Sequence, residues 1–575
     1  MVACPVREDV LVTTTAAIDT AALRKARGAF FTPAPVAEYV TRWAVRSPGD
    51  RVLEPSCGEA AFLLSALAQQ EALAAGGEHE FGDLAGVELH ATSAESARGL
   101  LRAAGSTAQV SEGDFFAVPP SPSFDVVVGN PPYVRYQDFG GASRTASRAA
   151  ALRAGVSLTG LASSWAAFTV HSALFLKSGG RLGLVLPAEL LSVNYAAQVR
   201  EFLMRRFGRV RLVMFTERVF PGVLEEVVLL LAEGTGGTDH CELLQVHGTN
   251  DLATLDAGQE STWTPVTASA KWTSALLPAA AAGTYADVVS GPAFTTLHGW
   301  GETTLGMVTG ANRYFALSPQ RAHELRIHDD ELLPLSPPGS RHLRGLSFTP
   351  PMRTLLGSQG SPTLLFRPPG EPSPAASRYI AAGKADKVDE AYKCRVRTPW
   401  WRVPVLAPAD LLLTYMNADT PRLTTNTARA RHLNSVHGVY LRPETRELGR
   451  RLLPLASLNS ATLLGAEIVG RAYGGGMLKI EPREADLLPV PSPAQVEGVA
   501  DELLSTRSRV ATRLREGRLM DAVRLVDQIL LTTGLGMNAG QVADLVQAHA
   551  LLTARRRARA VGARDRVAAG SEARP

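Results

Sequence analysis

Cysteine is scarce: the 575 residues hold four, at positions 4, 57, 241 and 394. They are scattered, with no C-x-x-C pair. That excludes a disulfide framework or a cysteine zinc site and fits a reducing cytoplasm. No sign of charge dominates, since 59 Lys and Arg face 55 Asp and Glu for a net of +4. Any nucleic-acid surface must therefore come from local clustering and not from overall charge. No basic-then-apolar leader opens the chain, and no run of about 18 apolar residues occurs in it. The expectation is a soluble, cytoplasmic protein with no membrane span. The first strand-like run is not followed by the G-x-G-x-x-G cradle that dinucleotides need. No P-D…(D/E)-x-K nuclease pattern stands out, and 27 residues ahead of the first motif are too few for a domain, so no fused nuclease is expected.

What is present organises around Phe124-Asp125-Val126-Val127-Val128-Gly129-Asn130-Pro131-Pro132-Tyr133. The apolar, β-branched run predicts a buried parallel strand. Asn130 falls at its carboxyl end, where open α/β sheets bind ligands. Pro131 biases Asn130 away from helix, and neither proline has an N–H to offer. The turn thus presents carbonyls, one side-chain amide and the flat face of Tyr133. Such a set suits an exocyclic amine on a planar ring, whose lone pair is delocalised into that ring. The Asn130 side-chain oxygen and the Pro131 carbonyl can accept both amine hydrogens and leave the lone pair directed at an electrophile. A plain strand-to-loop turn is the alternative for N-P-P-Y taken alone.

Upstream, three more strand-like runs end in acids. Arg51-Val52-Leu53-Glu54-Pro55-Ser56-Cys57-Gly58 leads into a helix over about 60–75, Leu84 to Glu88 ends a second run, and Gly113-Asp114-Phe115-Phe116 follows a third. One acid after one strand is usually just solvated; three at the spacing of successive βα units are not a chance pattern. Phe31-Thr32-Pro33 precedes helical spacing at Val36, Tyr39, Val40 and Trp43, with Thr32 as N-cap and Pro33 as first helical residue.

These motifs resemble the gamma-type DNA adenine-N6 methyltransferases, the TaqI- and Eco57I-like group of class I enzymes that use S-adenosylmethionine. The resemblance covers about residues 28–240 closely and 300–555 more loosely. It implies an α/β fold with a doubly wound, mainly parallel seven-stranded sheet, then an α+β DNA-recognition domain and C-terminal helices. The expected boundaries are an arm over 1–27, the methyltransferase domain over 28–240, target recognition over 241–490 and a helical, basic segment over 491–575. It also implies S-adenosylmethionine as cofactor, bound by Phe31, Thr32, Glu54, Pro55, Cys57, Gly58, Glu88, Asp114, Phe115 and Asn130. Glu54 would lie near the donor's positive portion, Glu88 on its ribose and Asp114 on its adenine amino group. Catalysis would fall to Asn130, Pro131, Pro132 and Tyr133, without a metal. Substrate contacts would come from Tyr133, Phe220 and Arg135, and from Trp400 and Trp401 beside Arg395, Arg397 and Arg402. Core packing explains Phe220 equally well, a solvated loop explains Arg135 with Arg144, Arg148 and Arg153, and a hydrophobic hinge explains the tryptophans. The expected partners are double-stranded DNA and a separate restriction or defence subunit. The competing functions are methylation of a protein glutamine amide, cytosine-N4 transfer, and a non-catalytic DNA-binding subunit. The large 241–490 segment favours DNA over protein, and the intact acids disfavour a decayed site.

Overall fold

The computed structural model describes residues 32–571 apart from 76–78, 135–137, 139, 216–218, 221–225, 256–259 and 266, with side chains as far as Arg557. The expected arm, Phe31 and Arg135 lie outside the described residues. The chain forms two compact units, 1–270 and 271–575.

The first unit is built on strands β1 (Val52–Glu54), β2 (Leu84–Glu88), β3 (Gln109–Glu112), β4 (Phe124–Gly129), β5 (Leu176–Pro187), β6 (Arg209–Phe215), β7 (Val227–Glu233), β8 (Cys241–Val246) and β9 (Ser261–Trp263). They form one sheet in the order β3-β2-β1-β4-β5-β7-β6-β8-β9. The sheet therefore has nine strands where seven were expected. The two extra strands also move the domain boundary, because 241–263 reads as a new segment in sequence but pairs β8 parallel to β6 and β9 antiparallel to β8. The glycine-rich 234–240 stretch joins β7 to β8 within the sheet. The β1–β5 pairings are parallel, and β7 runs antiparallel between β5 and β6. Val126, Val127 and Val128 are fully buried, as a strand hidden on both faces requires.

Helices α1 (Ala34–Ala44), α2 (Ala61–Ala74), α3 (Ala91–Ala103), α4 (Gly141–Arg153) and α5 (Ser164–Ala173) cover this sheet or connect its strands. One core joins Val36 and Val40 of α1, Phe62 and Leu63 of α2 and Ala94 of α3 to Val52, Val126 and Val128. Gly183 makes the α1 approach possible, since a Cβ there would sit 2.6 Å from the Val40 side chain. The stretch holding Arg144, Arg148 and Arg153 is helical and not an open loop, because its alanines favour helix and Ala150 and Ala151 bury.

The second unit is α+β. A five-stranded sheet, Gly301–Leu305, Val436–Leu441, Leu411–Thr414, Leu423–Asn426 and Ser347–Phe348 in spatial order, supports its core. Leu411, Leu413, Val439 and Trp300 share one cluster with Leu503, Val510 and Val526. The helices beyond residue 491 thus complete this unit's core and are not a separate segment. Nor is the arginine run at 555–557 simply a basic tail, for Arg556 is buried and pairs with buried Glu467 at 2.7 Å. Among the described residues no single helix is long and apolar enough to cross a membrane.

Candidate active site

The chain lays down β1, steps outward to β2 and β3, then returns to place β4 on the other side of β1. That reversal falls at the carboxyl ends of β1 and β4, the position where open α/β sheets have a crevice and bind ligands. Glu54 ends β1, and Asn130 follows β4. The two ends touch: a Cβ at Gly129 would lie 3.5 Å from Pro55 and 3.6 Å from Glu54.

The Asn130 amide is held from two sides. Its Nδ2 donates to Thr32 Oγ1 at 3.2 Å, and its Oδ1 accepts from the Tyr133 hydroxyl at 2.8 Å. Thr32 therefore does not cap α1. Pro33 takes the N-cap position, which leaves the Thr32 hydroxyl for Asn130. The Tyr133 hydroxyl also lies 3.0 Å from the Val185 carbonyl on β5, and its half-buried ring packs on the unit's main core.

Ser164, which sequence reasoning passed over, grips the same turn. Its buried Oγ donates to the Pro132 carbonyl and accepts the Val134 N–H at 2.9 Å, while its own N–H donates to the Val134 carbonyl at 3.0 Å. The first residue of α5 thus fixes the backbone on both sides of Tyr133. A serine at a helix start is read as a cap, so no sequence signal linked it to a turn thirty residues away.

Around this turn stand the three acids. Glu54 is 2% exposed, and its Oε2 accepts the Leu63 N–H at the start of α2 at 3.2 Å. Burial pushes its carboxyl well above the usual carboxylate range; the α2 amides of Leu63 and Phe62 oppose this and the charge of Glu88 adds to it. Glu88 accepts the Gly58 N–H at 2.9 Å and the His90 N–H at 2.9 Å. The Cys57 N–H donates to the Val87 carbonyl at 3.0 Å, so the turn after β1 is laced to the end of β2. Gly58 has φ +50° and open space where a Cβ would stand, a combination suited to close approach by a ligand. The Cys57 thiol is buried, which raises its pKa and leaves it inert. Asp114 Oδ1 accepts the Phe116 N–H at 2.9 Å.

Several expected contacts sit elsewhere. Phe115 is 3% exposed within an aromatic cluster, its ring 5.6 Å from Phe168, 4.8 Å from His171 and 5.1 Å from Phe175. Phe220, also 3% exposed, belongs to the core cluster on which Tyr133 packs, so core packing accounts for its placement. Trp401 is buried in a core of the second unit, and Trp400 packs on Tyr314 at 5.5 Å. Arg397 donates to the carbonyls of Val308 and Thr309, and Arg402 lies over the Trp401 ring at 5.3 Å. Of the two tryptophans expected to contact substrate, Trp401 is therefore committed to the core, while Trp400 is only partly buried against it. The structure brings together Thr32, Glu54, Pro55, Cys57, Gly58, Glu88, Asn130, Pro131, Pro132 and Tyr133, with Asp114 at the end of the adjacent β3.

The chain is similar in sequence to known proteins over both units. The N-6 DNA methylase family matches residues 18–241, and the C-terminal domain of the Type II methyltransferase M.Eco57I matches residues 269–531. Type II methyltransferase M.XamI of Xanthomonas campestris pv. amaranthicola is 27% identical over 475 residues, covering 81% of this chain and 85% of that protein. Type II methyltransferase M.AccI of Acinetobacter calcoaceticus is 22% identical over 476 residues, covering 80% and 84%. Type II methyltransferase M.PaeR7I of Pseudomonas aeruginosa is 30% identical over 230 residues, covering 36% and 38%.

Proposed function

We propose that this chain, which belongs to the gamma-type N6-adenine DNA methyltransferases, carries out its S-adenosylmethionine-dependent methylation of DNA adenine in the crevice above β1 and β4, on a base turned out of the duplex. The observation that carries this reading is the Asn130 amide, braced by Thr32 and Tyr133 at the sheet's switch point. The first seven strands then form the doubly wound class I core, with β8 and β9 added at one edge.

The residues present fit the cofactor. Glu54 is a sealed carboxyl with no cation beside it among the described residues, so a positively charged ligand stabilises its ionised form. Gly58 leaves room for a ligand, and Glu88 and Asp114 stand at the next two strand ends to accept from hydroxyls and an amino group. Bound S-adenosylmethionine supplies an electrophilic methyl group on a sulfonium.

The chain's own part is to orient the amine. Adenine N6 is a poor nucleophile while its lone pair is shared with the ring. Asn130 Oδ1 and the Pro131 carbonyl accept its two hydrogens and draw the nitrogen towards tetrahedral geometry. Asn130 Oδ1 already accepts from Tyr133, but a carbonyl oxygen has two lone pairs. The single Tyr133 hydroxyl proton also has the Val185 carbonyl within reach, so it can turn there as the base arrives. Tyr133 offers its ring to the base, and unstacking costs a few kcal/mol that such contacts offset. Fixing the amine in a near-attack position accounts for much of the acceleration. The second unit reads the DNA sequence, and a separately encoded restriction or defence subunit completes the system.

The test is transfer of radioactive methyl from the donor to duplex DNA, followed by digestion to nucleosides. Label in N6-methyl-2′-deoxyadenosine is expected; label in N4-methyl-2′-deoxycytidine or in protein alone would refute the assignment. Asn130→Ala should lose at least about a hundredfold in turnover and still bind the donor.

A further inference from the structure

The second unit holds a pocket of about 350 Å³ that the methyl-transfer chemistry does not use. It is lined by Arg344, Asp419, Arg422 and Arg557, with Leu514 and Leu519 as apolar wall. Two of the three guanidiniums share one carboxylate. Arg344 Nη1 lies 2.8 Å from Asp419 Oδ1 and Arg422 Nη2 lies 2.9 Å from Oδ2. Among the described residues, Arg557 has a hydrogen bond only to the Ala418 carbonyl, at 3.4 Å. Neighbouring Arg556 does not enter this balance, because Glu467 pairs with it.

Arg422 makes the site more than a surface patch. Its side chain is 5% exposed, and its Nε and Nη1 have no hydrogen-bond partner among the described residues and no solvent contact. A buried guanidinium with unsatisfied donors is costly, and such groups call for a physical explanation. Burial lowers its pKa, Asp419 opposes that shift, and Arg344 reinforces it. The missing component is negative charge.

We propose that this pocket binds a phosphate group. Arg344 and the exposed Arg557 present planar donor forks suited to two phosphate oxygens, and Arg422 supplies a buried positive charge behind them. The local excess of two positive charges matches a phosphate dianion or one backbone phosphate with a counter-charge to spare. The source is either the DNA backbone or a free phosphate. Only the DNA source rests on the methyltransferase reading, and methylation of the same duplex by the unaltered protein separates failure of this pocket from failure of that reading.

The experiment compares thermal unfolding in inorganic phosphate and in chloride at equal ionic strength for the full chain, Arg557→Ala and Asp419→Asn. Salt titrations of duplex DNA binding accompany it. Phosphate should raise Tm by about 2 °C or more. Arg557→Ala should cut that rise by at least half, and Asp419→Asn, which removes the competing carboxylate, should enlarge it. The variants separate binding from the general stabilisation phosphate gives any protein. If the occupant is the DNA backbone, Arg557→Ala also lowers the slope of log affinity against log salt by about 1. An unchanged slope with a lost Tm rise assigns the pocket to a free phosphate. If Arg557→Ala alters neither the phosphate-dependent rise nor the salt slope, the proposal is wrong.

Discussion

Ser164→Ala tests how the catalytic turn is held. The substitution removes one hydroxyl and leaves the Pro132 carbonyl and the Val134 N–H without their shared partner. An unmade hydrogen bond at a buried group costs about 1–3 kcal/mol. Both backbone groups are only partly buried, and the bond from the Ser164 N–H to the Val134 carbonyl survives, so about 2 kcal/mol in all is the reasonable figure. The cost falls on the turn, because Ser164 contributes no bulk that alanine lacks beyond one oxygen. If it appears as lost alignment of Asn130 and Pro131, turnover drops roughly thirtyfold, at about 1.4 kcal/mol per factor of ten. Donor affinity should stay within about twofold, since Glu54 and Glu88 are held by other bonds. The assay is single-turnover methylation of a duplex with adenine at the target, with donor binding and Tm measured on the same protein, and a second duplex with 2-aminopurine in place of that adenine followed for extrusion alone. Fluorescence then reports base extrusion separately from chemistry. Unchanged turnover would refute the reasoning. So would a loss of turnover that tracks an equal loss of Tm and donor binding, since Ser164 would then serve the fold at large.

Other substitutions probe the remaining parts of the site. Glu54→Gln should stabilise the cofactor-free protein at neutral pH. The folded-state carboxyl titrates above its unfolded value, so between the two the unfolded chain gains by ionising while the fold does not, and stability falls as pH rises through that window. The same variant should weaken donor binding tenfold or more, and binding to the unaltered protein should release protons in calorimetry across buffers of different ionisation enthalpy. A lower Tm in Glu54→Gln, or binding without proton release, would count against the assignment. Tyr133→Phe keeps the ring and loses the hydroxyl bonds to Asn130 and Val185, so turnover should fall by less than tenfold. Tyr133→Ala should lose far more; equal losses would mean the ring does not meet the base. Trp401→Ala should destabilise the second unit by about 3–5 kcal/mol in urea unfolding. Weakened DNA binding at unchanged stability would restore the stacking role for Trp401 that its burial argues against.

Much of the first unit was legible because chemistry and fold there share one set of residues. The Val126–Val128 run buries on both faces, the prolines stop it, and the acids at 54, 88 and 114 mark where successive strands end. These signals are local in sequence. The strands at 241–263 were not legible, because their place at the sheet edge depends on pairing with β6 rather than on composition. Thr32 was read as a cap because Thr-Pro before a helix is a capping pattern; its actual bond, to a residue 98 positions away, leaves no trace in the sequence. Phe115 and Phe220 show a related ambiguity, since an aromatic that flanks a ligand and one that fills a core have the same neighbours in the chain. The second unit was read least well. An Arg and Trp cluster exposed to phosphates reads identically to one tied to the carbonyls of residues 308 and 309. Arg422 stands one residue before the strand Leu423–Asn426 with no motif around it, and only its burial beside one shared carboxylate makes it a candidate.

The crevice also explains why the acids are tolerated where they stand. Glu54 is sealed at the end of β1, and Glu88, at the end of the adjacent strand, adds to the pressure against its ionising. Two such carboxyls at neighbouring strand ends oppose folding unless something compensates. The Leu63 N–H at the start of α2 compensates Glu54 in part, and the Gly58 and His90 N–H groups satisfy Glu88. Neither supplies a full positive charge. A fold selected for stability alone would place Gln at 54 and lose little packing. Keeping Glu there makes sense when a cationic ligand enters the crevice, because the same burial that disfavours the lone carboxylate strengthens its attraction to that ligand. If Glu54 holds the cofactor as proposed, affinity and instability of the empty site have one physical origin, and a substitution that relieves one must weaken the other.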